Sequence, residues 1–103
     1  MADTLTVYEM SSTSTAEITV ATVSTGTAFI LQGFAVSNAN AATKYFSLKL
    51  GDMYMAYQQT LESKKSYVLS GLNIPVLQTK TIKTTQEVAS DLDFYIWGLT
   101  VDV

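Results

Sequence analysis

The stretch Tyr45-Phe-Ser-Leu-Lys-Leu-Gly-Asp-Met-Tyr-Met-Ala-Tyr-Gln-Gln-Thr-Leu61 decides the fold class. In its first six residues, Phe46, Leu48 and Leu50 point one way, and Tyr45, Ser47 and Lys49 the other. A period of two is the mark of a half-buried strand, not of a helix. Gly51-Asp52 turns the chain, and residues 53–61 are extended again, with Met53, Met55 and Tyr57 alternating against Tyr54 and Ala56. A gap this short makes the two segments a hairpin.

The same reading extends in both directions. Residues 28–38 are apolar on both faces, which predicts a central strand. Before them, residues 17–23 form a strand and Ser24-Thr25-Gly26-Thr27 a turn; after them comes a small-residue loop at 37–42. On the other side, Glu62-Ser63-Lys64-Lys65 is a charged turn and residues 66–70 a strand. Pro75 restricts residues 72–77 to an edge or a bend. Residues 80–85 are polar apart from Ile82 and are expected to be an exposed edge guarded by lysine. Residues 86–90 are expected to form a helical turn or loop, and residues 92–103 a central strand.

Residues 4–9 alternate, with Leu5 and Val7 on one side, and the low-complexity run Ser11-Ser-Thr-Ser-Thr15 then breaks the pattern. Residues 1–15 are therefore separated as an extended N-terminal arm, and residues 16–103 as one domain. The arm is either a frayed terminus or a strand added to a neighbouring subunit. The expected fold is all-β: an antiparallel β-sandwich, jelly-roll-like, of seven to eight strands. The 15 Thr and 10 Ser suit strands and turns respectively.

Absences in the composition narrow the chemistry. The 103 residues include no Cys, His or Arg. Thiolate catalysis, disulfides, the usual general base and bidentate phosphate clamps are gone with them. No Ser-x-x-Lys, Gly-x-Ser-x-Gly or phosphate-binding glycine motif occurs. Neither an enzyme nor a cofactor is expected. A net charge of −3 argues against nucleic acid as a partner. No apolar run is long enough to span a membrane, and the acidic first ten residues lack one of signal-peptide length. Asp91 and Asp93 share a strand face and could hold calcium. Charges opening a strand more often solubilise it.

The last strand carries large apolar groups on both faces: Leu92, Phe94 and Ile96 against Tyr95, Trp97, Leu99 and Val101. A sandwich strand needs only one buried face. Three fates are open to the other: cover by loops or the arm, packing against identical subunits, or stacking of Tyr95 and Trp97 on sugar rings. The interface residues expected for the second are Leu5, Val7, Tyr8, Met53, Tyr54, Met55, Tyr95 and Trp97.

Three segments carry a family resemblance: Phe46-Ser-Leu-Lys-Leu-Gly-Asp-Met-Tyr-Met-Ala-Tyr57, Leu61-Glu-Ser-Lys-Lys-Ser-Tyr-Val-Leu-Ser-Gly-Leu-Asn-Ile-Pro-Val76, and Lys80-Thr-Ile-Lys-Thr-Thr85. A closing Leu92-Asp-Phe-Tyr-Ile-Trp-Gly-Leu-Thr-Val101 completes it. The chain resembles the small β-sandwich virion proteins of tailed bacteriophages. The resemblance implies a structural part of a virion, made in the host cytoplasm. It implies a decoration or cement protein on the capsid exterior, a homotrimer whose other partner is the major capsid protein. Tail, fibre or baseplate components share such folds and are the first alternative. A monomeric carbohydrate-binding module is the second.

Overall fold

The structure, a computed structural model, describes residues 3–11, 17–86 and 92–103. Among these residues the chain forms nine strands: β1 (Thr4–Ser11), β2 (Ile18–Thr22), β3 (Thr27–Asn38), β4 (Lys44–Leu50), β5 (Met53–Leu61), β6 (Ser66–Leu69), β7 (Ile74–Val76), β8 (Thr81–Gln86) and β9 (Leu92–Asp102). They pair antiparallel in two sheets. One is ordered β1-β9-β3-β6, with β7 also on β3; the other is β2-β8-β4-β5. β6 and β7 share one edge of β3, beside residues 34–37 and 29–31 respectively. With that broken edge counted as one strand, the order is that of a jelly roll.

The core lies between the sheets. Phe29, Leu31, Phe34 and Val36 of β3 and Leu92, Phe94 and Ile96 of β9 enter from one side. Phe46 and Leu48 of β4, Ile82 of β8, and Ala56 and Leu61 of β5 enter from the other. Phe46 sets its ring edge-on against Phe94, with centroids 6.1 Å apart, and against Tyr67 at 5.5 Å. Leu31 and Phe34 are both buried although three residues apart. A register shift between Leu31 and Gly33 makes that possible. The two-faced apolar pattern of β3 therefore combines a bulge with a central position.

Three expectations are revised. Residues 80–85 do not lie at an edge, because β8 runs between β2 and β4. Ile82, Thr84 and Gln86 alternate inward and are buried, and two polar side chains among the three conceal the pattern. The Thr84 hydroxyl donates to the Met10 sulfur at 3.8 Å, and outward-facing Lys83 meets Glu17 at 3.5 Å. Residues 4–11, separated as an arm by sequence, pair along their length with β9 of the same chain, from Thr4 opposite Thr100 to Ser11 opposite Asp93. They form the edge strand of the first sheet. The strict alternation expected of β5 is broken twice by register shifts. The run at residues 12–15, residues 87–90 and Asp91 lie outside the described residues. Asp93 accepts a hydrogen bond from the Ser11 hydroxyl.

Candidate interaction surfaces

Antiparallel pairing lines up the outward side chains of the first sheet in rows. Leu5, Leu99, Ile30 and Pro75 make one row; Val7, Trp97 and Gly33 the next; Glu9, Tyr95, Ala35 and Val68 the third. Glu9 is the single charge among these positions. Leu5 is 67% exposed, Val68 60%, Tyr95 42% and Val7 40%. This strip has the apolar, aromatic character of an interface centre.

Trp97 sits at its middle, and Gly33 explains how. A Cβ on Gly33 would lie 2.3 Å from Trp97 Cζ2 and 2.8 Å from the Leu69 carbonyl oxygen. Only glycine leaves room for the indole to lie against the strand beside it. The Tyr95 ring stands 5.9 Å from it, tilted by 52°. The platform is thus held by backbone and packing, with part of each ring open to solvent.

The expected interface residues do not form one surface. Leu5, Val7, Tyr95 and Trp97 come together on this face. Tyr8 points inward, its ring edge-on to Phe29 at 5.5 Å, and burial pushes its hydroxyl pKa above the ordinary value. Met53, Tyr54 and Met55 belong to β5 in the opposite sheet. Met55 packs partly against the core. Met53, 69% exposed, borders an apolar hollow with Pro75 and Leu77 at one end of the sandwich.

Sequence reasoning passed over a second aromatic group. Tyr45, Tyr54 and Tyr57 surround a shallow hollow of about 220 Å³ on the outer face of the second sheet. The Tyr54 and Tyr57 rings meet edge-to-face at 4.8 Å. The spacing of 54 and 57 is odd, so a regular strand would part them; only the β5 register shift, invisible in composition, unites them.

Against known proteins, the chain matches no family model, and no curated protein matches it.

Proposed function

We propose that this protein is a structural assembly protein, a decoration or cement protein of a tailed-phage capsid that acts by apolar packing. The observation that carries the reading is the strip of Leu5, Val7, Tyr95, Trp97, Leu99, Ile30 and Val68 on one outer sheet face. Burying a Leu or Val side chain contributes about 1.5–3 kcal/mol. A few such groups per subunit therefore offset much of the entropy lost on association. The occupant is a second and third copy of the chain, and the trimer then bridges major capsid subunits. Binding across subunit boundaries stabilises the assembled shell by linkage. The mechanism is physical and uses no catalytic residue.

Light scattering tests the reading. The wild type is expected at three times the chain mass of 11.2 kDa. Because the contact is apolar, that mass should persist at high salt. Leu5→Glu combined with Tyr95→Glu, both at exposed positions, should give a folded monomer that no longer binds emptied capsids. A wild type that stays monomeric and ignores emptied capsids overturns the proposal. Binding to detached tails instead selects the tail, fibre or baseplate reading.

A further inference from the structure

We infer that the outer face of the β2-β8-β4-β5 sheet carries a binding site for a neutral carbohydrate, built by the double bulge of β5 around Tyr45, Tyr54 and Tyr57. The inference is independent of the assembly surface, which lies on the other sheet.

The construction begins with register. Lys49 pairs with Tyr54, Leu48 with Ala56, and Phe46 with Gln59. β5 therefore carries one extra residue in each of two places. The first is Met55, which packs partly against the core beside Ala56. Its insertion lets Tyr54 and Tyr57 emerge on the same face as Tyr45. The second lies opposite Ser47, where Tyr57 and Gln58 are both exposed. Gln58 has φ of 46°, a left-handed conformation that disfavours a side chain by about 1–2 kcal/mol. Its amide N–H donates to the Ser47 hydroxyl at 2.9 Å. Since the Gln58 side chain is exposed, its own burial does not require this backbone conformation. The visible consequence of the bulge is that two successive side chains are aimed at one hollow. Bulges and backbone outliers of this kind gather at functional sites.

The lining then selects the ligand. The hollow holds about 220 Å³, roughly seven waters at ~30 Å³ each, which suits one sugar ring. Besides the three tyrosines it is bordered by Phe46, Ser47, Gln58, Thr85 and Gln86, and among the described residues no ionised side chain lines it. Lys49 is directed instead over the Tyr54 ring, 5.3 Å from its centroid. Among the described residues, an anion or cation finds no opposite charge in the lining. A pyranose ring presents polarised C–H groups on its face and hydroxyls around its rim. The C–H face is complementary to the negative face of an aromatic ring. The rim hydroxyls match the amide of Gln58 and the hydroxyls of Ser47, Thr85 and tyrosine, which both donate and accept. Nucleobases also stack on tyrosine, but nucleic acid gains most of its affinity from cationic contacts to phosphate. A chain of net charge −3 opposes them.

The test is a titration of the full chain with maltotriose, chitotriose and mannotriose, followed through tyrosine and tryptophan ring signals by NMR. At least one trisaccharide should shift the Tyr54 and Tyr57 signals with millimolar affinity. Tyr57→Ala should weaken that binding by about tenfold, the loss of one stacked ring. Tyr57→Leu, which keeps the bulk without the aromatic face, should weaken it equally. Both should keep the wild-type melting temperature, because Tyr57 is 63% exposed. Trp97→Ala should leave sugar binding unchanged. Silence of the tyrosine signals with all three sugars, shifts centred on Trp97, or full affinity in Tyr57→Ala would each overturn the assignment.

Discussion

Asn38 fastens two loops with one buried amide. Its Nδ2 donates to the carbonyls of Ala42, Leu61 and Glu62 at 2.9–3.2 Å. Its Oδ1 accepts from the backbone and side-chain nitrogens of Asn40, both at 2.9 Å. Ser63 and Lys64 tie the same two loops from outside, through the carbonyls of Asn40 and Ala39. Among small-residue neighbours, Asn38 resembles any loop asparagine in sequence. Its role depends on two carbonyls, of Leu61 and Glu62, that lie more than twenty residues away. Asn38→Asp is nearly isosteric but replaces the donor with an acceptor facing three carbonyls. Leaving buried groups unsatisfied costs about 1–3 kcal/mol apiece. The substitution should therefore lower unfolding free energy in urea by at least ~2 kcal/mol at neutral pH. A loss below ~0.5 kcal/mol would show that water replaces the network at no cost.

At the scale of elements, the β3–β9 pair depends on two glycines that face opposite ways. A Cβ on Gly98 would lie 2.1 Å from the Ile30 carbonyl oxygen and 2.8 Å from Phe29 Cζ, where backbone cannot yield. A Cβ on Gly33 meets the Trp97 ring, which can swing outward, and at 2.8 Å the Leu69 carbonyl oxygen, which belongs to the short edge strand β6 and not to a central strand. Gly98→Ala should therefore cost about 3 kcal/mol or more. Gly33→Ala should cost less, and should instead red-shift the tryptophan emission as the indole moves into water. Equal losses with unchanged emission would contradict this division. The same pair shows what sequence reveals. A period of two places Leu92, Phe94 and Ile96 on one face of β9 and Tyr95 and Trp97 on the other, and puts Leu5 with Val7, so these sets were legible; which face of β9 is core was not, because both are apolar. β8 was not, because Thr84 and Gln86 take core positions that hydropathy assigns to apolar residues. The β5 bulges were not, because an inserted residue changes register without changing composition. The tyrosine hollow stayed hidden with them.

At the scale of the whole molecule, the jelly roll closes only if its first strand stays at home. The body measures 46 × 24 × 19 Å, and the longest strand, β3, has twelve residues. β1 covers one edge of β9 over eight paired positions. It also delivers Tyr8 to Phe29, and Met10 to Thr84 of the opposite sheet. The Ser/Thr run makes residues 1–15 look like an arm, yet Tyr8 and Met10 of β1 pack against the core. A chain lacking residues 1–11 would expose a β9 edge and the flank of Phe29. Losing two half-buried side chains and a ladder of hydrogen bonds should remove about 3 kcal/mol or more. For a domain of this size that corresponds to a fall in melting temperature of at least ~12 °C. A synthetic peptide of residues 3–11, added in excess, should restore much of the loss by binding the vacant edge, since a ligand that binds only the folded state stabilises it. An unchanged melting temperature in the truncated chain would mean that β1 contributes nothing at home. Its Leu5 and Val7 would then be free to serve a neighbouring subunit. The truncation thus separates an edge strand whose outer side chains join the assembly face from an arm donated whole.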